Sequence, residues 1–357
     1  STKHCESEQL DLDTKPDPRL RKMMDDDLEM YRDACRRNGW GDETQGEMRE
    51  IPTRIGIIGG TGLASLLDKF EHCSDFTFNT PWGKPSAPIS LLKHSLSIDT
   101  VDKQATEIAF LPRHGTGHQL APHEVPYRAN IAALRCMGVR TIIAFSAVGS
   151  LQEDIRPRDF VVPDQIIDRT KGIRGSTFFE DGIVGHVGFA DPFDPELGKI
   201  IRQCGHSMKG EGLRVHDQGT IICIEGPQFS TRAESNLYRS WGGSVINMSV
   251  LPEAKLAREA ELAYQMICMS TDYDCWHSTA GDVSVDMVMG HMKANGVNAG
   301  RFVNVILAEL MKEEHQEVIL AMHLRKQSQL AGSVTKAEAR GEMAKKKLGW
   351  LFGGRYF

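Results

Sequence analysis

From Arg54 onward one pattern recurs along this chain: a short apolar run stops at glycine, serine, threonine or a charged residue, and a helical periodicity follows. The runs lie at 55–58, 108–111, 141–145, 220–224, 245–248 and 266–269, with short candidates at 160–162 and 165–167. Runs so short and so uniformly apolar suit strands buried on both faces, which calls for helices between them. Helices are expected at 63–70, 122–138, 196–209, 252–263, 284–292 and 298–312, and one capped by Ser230 or Thr231 and ending at Arg239. The expected fold class is α/β: a single domain with a central mixed, mainly parallel twisted sheet flanked by helices. Such sheets bind ligands outside the carboxyl ends of their strands, so the residues that end each run are the candidates for function.

The most telling end is the stretch 264–276, YQMICMSTDYDCW. Asp272 and Asp274, two apart, would face the same way on an extended segment. Paired carboxylates can share protons, and one raised in pKa can act as a general acid. The same residues also suit an Asx-turn and a helix N-cap. After the first run, Gly59-Gly60-Thr61-Gly62 offers backbone N–H groups and a hydroxyl to an anion, or simply a tight turn. Its glycine spacing is neither the dinucleotide fingerprint nor the P-loop. Arg113, His114 and His118 after the second run suit a phosphate or a sugar hydroxyl, or a solvated loop. Small and hydroxyl residues, Ser146 to Ser150, follow the third.

The net charge of −6 over 357 residues argues against a general nucleic-acid binder. No run of about 18 apolar residues is present, so no membrane span is expected. The cysteines are scattered singly, which suits a reducing compartment and small core residues. The two ends differ in character from the middle. Residues 1–50 carry 14 Asp/Glu against 9 Lys/Arg, with a weak helical signal at 20–37. Residues 318–357 carry eight Lys/Arg against two acids and end with Trp350, Phe352, Tyr356 and Phe357. Three segments are therefore expected: an acidic extension at 1–53, a catalytic domain at 54–313 and a basic, aromatic-ended extension at 314–357. The extensions are candidate contacts for a protein partner, and they keep open an accessory or structural subunit built on the same fold.

With these segments in order, the chain resembles the methylthioadenosine phosphorylases of the purine nucleoside phosphorylase superfamily. The resemblance covers roughly residues 54–313. It rests on IGIIGGTGL from Ile55, TPWGKPS from Thr80, PRHGTGH from Pro112, GSL from Gly149, IEGPQFSTRAES from Ile224, VINMSVLPEAKLAREAE from Val245 and STDYDCW from Ser270. It implies phosphorolysis: 5′-methylthioadenosine and inorganic phosphate give adenine and 5-methylthioribose 1-phosphate, with phosphate a co-substrate and no cofactor or metal. Thr61, Arg113, His114, Ser146, the Ala147 amide and Ser249 would hold the phosphate. Asp272 would donate to purine N7 and Asp274 would accept from the 6-amino group. Phe229 would pack on the purine, Met248 on the ribose, and Ser230 and Tyr273 belong to the same substrate set. Val285 and Val288 would line an apolar pocket for the 5′ group. His186 would lie near a neighbouring subunit of a homotrimer. The resemblance also implies a cytoplasmic enzyme of purine and methionine salvage, or an organellar one if the extended termini redirect it. A broader purine nucleoside phosphorylase is the nearest alternative. Phe145, Val148 and Gln228 depart from the family's usual residues, which bears on substrate breadth rather than on the class of reaction.

Overall fold

The computed structural model describes residues 22, 26, 29, 41–42, 54–60, 63, 70–95, 105–278, 285–330 and 335–353. At its centre is an 11-stranded sheet. Its strands are β1 (Ile55–Gly59), β2 (Glu71–Phe76), β3 (Ile89–Ser95), β4 (Ala105–Pro112), β5 (Thr141–Ser150), β6 (Phe160–Val161), β7 (Gln165–Asp168), β8 (Val215–His216), β9 (Thr220–Cys223), β10 (Val245–Asn247) and β11 (Ala263–Tyr273). The spatial order is β8-β6-β11-β5-β1-β4-β3-β2, with β10 joining the far end of β5 and leading on through β9 to β7. The central strands β11, β5, β1 and β4 run parallel, while β3 and β2 complete one edge antiparallel.

The longer helices are α1 (Tyr127–Cys136), α2 (Pro195–Met208), α3 (Arg232–Ser240), α4 (Val250–Glu259), α5 (Val285–Leu310) and α6 (Glu342–Leu351). Strand alternation sorts the core into two layers. Tyr264, Met266 and Cys268 of β11 join α1, α4 and α6 in one apolar cluster. Ala263, Ile267 and Met269 join α2 and α5 in the other. Burying each large apolar side chain is worth about 1.5–3 kcal/mol, so a sheet covered on both faces explains the uninterrupted apolar runs.

Two elements differ from expectation. β11 extends well past 266–269, because Ser270, Thr271 and Asp272 stay buried and the ladder to β5 continues through Asp272 opposite Gly149. The helices expected at 284–292 and 298–312 are one, α5. Gly296 costs only about 1 kcal/mol relative to alanine. Against that, the Asn295 amide donates to the Ser270 carbonyl at 2.9 Å, and residues from Ala299 to Leu310 reach the core.

The basic end of the chain docks on the core. Trp350, Leu351 and Phe352 belong to the same cluster as α1 and α4. Arg135, itself buried, donates to the carbonyls of Leu351 and Ala260 and lies 5.0 Å from the Phe352 ring centre. Lys347 pairs with Glu180 at 2.6 Å. Of the leader, Gly41–Asp42 pair antiparallel with Phe78–Asn79, and Lys22, Asp26 and Glu29 are helical. The rest of the leader, most of the helix expected at 63–70, and Thr61, Tyr356 and Phe357 lie outside the described residues.

Candidate active site

A cleft of about 970 Å³ opens at the carboxyl ends of β1, β4, β5, β10 and β11. Its existence follows from how β5 changes partners along one edge. Residues 141–144 pair with β1, and Gly149 and Ser150 pair with β10. Between them, among the described residues, 145–148 have no strand neighbour on that side. The Phe145 carbonyl there accepts from Arg113 Nη1 at 2.8 Å. Alternation turns the Ala147 backbone to the same edge, so its N–H faces the opening.

Arg113 follows β4 and is fully buried. Its Nε and Nη2 each donate at 2.7 Å to the two oxygens of Glu253 on α4, which also accepts from the Tyr264 hydroxyl at 2.7 Å. Burial alone would lower the guanidinium's pKa, but the Glu253 carboxylate outweighs it and holds the group above its ordinary value. A guanidinium has five N–H donors, of which these contacts and the Phe145 bond use three, leaving two uncommitted. Gly60 permits the close approach: a Cβ there would meet the Phe145 oxygen at 2.6 Å and Arg113 Nη1 at 2.9 Å.

Ser146 and Ser249 bring their hydroxyls to within 3.3 Å of each other, and the Asn247 amide donates to Ser146 Oγ at 3.2 Å. His114 Nδ1 lies 2.9 Å from the Leu120 carbonyl. A carbonyl only accepts, so Nδ1 carries the proton and Nε2 keeps a lone pair. Burial, reinforced by the Arg113 charge, lowers this imidazole to about 4, so it is neutral at pH 7.

Across the cleft, β11 ends in the two carboxylates. A register shift between Ser270 and Asp272 aims them inward. A Cβ on Gly149 would lie 3.2 Å from Asp272 Oδ1 and 3.5 Å from Asp274 Cβ, so both acids flank the end of β5. They are 4% and 3% exposed. Burial raises Asp272 to about 6; the Thr271 hydroxyl, donating at 2.6 Å, opposes the rise and the Asp274 charge adds to it. Burial raises Asp274 too, opposed by the Ser235 hydroxyl and the Cys275 N–H at the same carboxylate. Its Oδ2 is buried without a hydrogen-bond partner among the described residues, as are Ser230 Oγ and Asn247 Oδ1. All three residues line the cleft.

Most of the expected set thus converges: Arg113, His114, Ser146, Ala147, Met248, Ser249, Phe229, Ser230, Asp272, Asp274 and Val288 all face one cavity. Tyr273 does not. The alternation that turns its neighbours inward turns it away, and its hydroxyl donates to the Glu153 carbonyl at 3.2 Å while its ring stacks on His277. His186 is exposed on the connection between β7 and α2 and does not line the cleft. Thr61 and the side chain of Val285 lie outside the described residues. Sequence reasoning passed over Glu253, Asn247 and Thr271. Glu253 stands in the quoted PEAKLARE stretch, but nothing in a sequence ties it to an arginine 140 positions away. The one His/Cys/Asp/Glu grouping of metal-binding spacing among the described residues, Glu309, Glu314 and His315, is not part of the cleft.

A parallel-centred sheet whose strand ends gather a guanidinium and two hydroxyls opposite a buried acid pair suits a group-transfer enzyme. The chain belongs to the phosphorylase superfamily, whose model matches residues 54–308. Among its relatives it is similar to the S-methyl-5′-thioadenosine phosphorylase of Phaeosphaeria nodorum, 65% identical over 86% of this chain and 88% of that protein. The enzyme of the same name from Aspergillus fumigatus is 62% identical over 85% and 87%. Among solved structures, a methylthioadenosine phosphorylase from an antarctic soil metagenomic library superposes with a TM-score of 0.71 at 41% identity, over 84% of this chain and 99% of that one. The methylthioadenosine phosphorylase from Schistosoma mansoni in complex with adenine gives 0.69 at 33%, over 78% and 98%.

Proposed function

We propose that this protein cleaves 5′-methylthioadenosine with inorganic phosphate. A phosphate oxygen bonds to C1′ of the ribose, the bond from C1′ to the purine nitrogen breaks, and adenine leaves, giving 5-methylthioribose 1-phosphate. The observation that carries this reading is the unpartnered, buried Asp274 Oδ2 beside the pKa-raised Asp272, facing Arg113, Ser146 and Ser249 in one cleft. A 6-amino group satisfies the orphan acceptor, and a protonated Asp272 gives purine N7 a donor as the base takes up electron density. On the other wall, two Arg113 N–H groups, the Ala147 amide, and the Ser146 and Ser249 hydroxyls aim directed hydrogen bonds at the anion and fix its line of attack. Neutral His114 offers Nε2 only as an acceptor, which suits a proton on phosphate or a ribose hydroxyl. Thr61 joins this set on the strength of its motif. Met248, Phe229 and Val288, with Val285 by its position, form the apolar surround of base, ribose and 5′ thioether.

The reaction needs no cofactor, phosphate being the second substrate. The direct test is adenine release from 5′-methylthioadenosine with and without phosphate. Release should require phosphate, and equal release in its absence would refute phosphorolysis. Schistosoma mansoni neighbours are described as adenosine/methylthioadenosine phosphorylases, which favours a second reading with a broader 5′ specificity. Comparing kcat/KM for the 5′-methylthio and 5′-hydroxyl nucleosides separates the two.

We further propose a homotrimer whose neighbour packs on exposed His186 and closes the cleft at half-exposed Phe229. Light scattering tests the mass. With the C-terminal aromatics Trp350 and Phe352 buried at home, any partner contact falls to the remaining surface of the extensions. Buried free thiols at Cys136, Cys204, Cys223 and Cys268 favour a reducing, cytoplasmic setting. No helix among the described residues is long and apolar enough to cross a membrane.

A further inference from the structure

Arg174 stands on the connection between β7 and α2, outside every motif discussed above, and its side chain is 4% exposed. Its Nε donates to Glu225 Oε2 and its Nη2 to the Glu225 carbonyl, both at 2.8 Å. Its Nη1 donates to the Met248 carbonyl at 2.6 Å and the Leu251 carbonyl at 2.7 Å. Those two carbonyls straddle Ser249, on the phosphate side of the cleft. Glu225 opens the segment that carries Phe229 and Ser230, on the base side. One cation therefore joins the two walls.

The join falls where the sheet stops doing that work. The ladder between β9 and β10 ends at Cys223 opposite Asn247, with one last bond from Ile224 N–H to the Asn247 carbonyl. Past that point the two segments lead on to Phe229 and to Ser249, and Arg174 spans them. They also press together there: Gly226 has φ +69°, and a Cβ on it would come within 2.4 Å of Met248 Sδ.

Taking the phosphorolysis reading as its basis, we propose that Arg174 is a positioning residue that sets the spacing between the phosphate held at Ser249 and the purine held at Phe229 and Ser230. It touches neither ligand. Each wall keeps its own binding groups without it, so each ligand alone should still bind. What suffers is their alignment, and a misplacement of about 1 Å costs on the order of 100-fold in rate.

The test uses the full-length Arg174→Ala and Arg174→Lys proteins, with turnover normalised to folded protein. Phosphate and adenine are each titrated alone by calorimetry. The expected result is a kcat lower by on the order of 100-fold for Arg174→Ala, dissociation constants for both single ligands near those of the parent, and partial recovery of kcat with added guanidinium ion. Lysine, with a single point of attachment, should fall between. A kcat per folded molecule equal to the parent's, or a loss wholly accounted for by one ligand's dissociation constant, would overturn the proposal. If Arg174→Ala does not fold, Glu225→Gln keeps the carbonyl acceptor and weakens only the Nε contact. It should lower kcat with both single-ligand constants intact, and an unchanged kcat counts against the bracket. A parent that releases no adenine with phosphate would defeat the phosphorolysis reading itself; an active parent with an equally active Arg174→Ala would defeat the bracket alone.

Discussion

The two walls of the cleft reach readiness by opposite routes. On the proposed phosphate side, the charge of Arg113 is matched before any ligand arrives, with Glu253 at 2.7 Å on two nitrogens and the Phe145 carbonyl on the third. The ion pair cancels its own net charge. On the proposed reading an anion there is held by aimed N–H and O–H groups rather than by surplus positive charge. On the base side, Asp272 has one hydroxyl partner, and Asp274 keeps an oxygen buried with none. Burial therefore disfavours the ionised acids of that wall, and a donor-bearing base should relieve the cost. One wall is built for placement and the other for a change in charge, and variants on the two should fail differently.

The largest effect is expected at Asp272. Asp272→Ala removes the group proposed to steady the departing base, and turnover should drop by about 10³-fold, within the range for a lost general acid. Phosphate binding should persist, since no cradle group is touched. Saturation kinetics with phosphate read both quantities. A smaller and different defect is expected for Arg113→Ala. Losing two charge-assisted hydrogen bonds to the anion should raise the phosphate KM by about 100-fold. At saturating phosphate its kcat should recover far more than that of Asp272→Ala. Equal kcat losses in both variants at saturating phosphate would erase the distinction between the walls.

How much of this contrast the sequence disclosed follows from what holds each wall in place. The base wall is local: Asp272 and Asp274 sit two apart on one strand, so their common direction could be read from the period of a strand. Tyr273, between them, is turned away by the same rule, and its inclusion came from the motif rather than the geometry. The phosphate wall is assembled across the sheet. Arg113, His114, Ser146 and Ser249 were visible as separate strand ends, and their convergence required the strand order β4-β1-β5 with β10 alongside. Their supports were invisible, because Glu253 and Arg174 act through pairings over 140 and up to 77 residues that no local period encodes. The basic C-terminal end illustrates the same point. The sequence marked that end as a candidate partner contact, and only the cluster of Trp350 and Phe352 with α1 and α4 identifies the chain's own core as the surface they meet.

The smallest predicted effect tests whether the base wall is strained when empty. Burial raises the folded-state pKa of Asp272 to about 6, above the ordinary 3.8. Its protonated carboxyl is thus favoured by folding, and its ionised form is not. The corresponding stability is fully present below the unfolded pKa and is lost as pH rises through about 6. A shift of two pKa units corresponds to about 2–3 kcal/mol of ligand-free stability lost between pH 4 and 7. Asp274 and Glu259, also raised by burial, slope the same way, so the quantity to compare is a difference between variants. Asp272→Asn cannot ionise. Ligand-free, it should melt above the parent at pH 7.5 by several degrees, at about 2–4 °C per kcal/mol, and near the parent at pH 4.5. A melting difference that does not change with pH would mean that Asp272 titrates as an ordinary carboxylate, and the two walls would then differ in shape but not in strain.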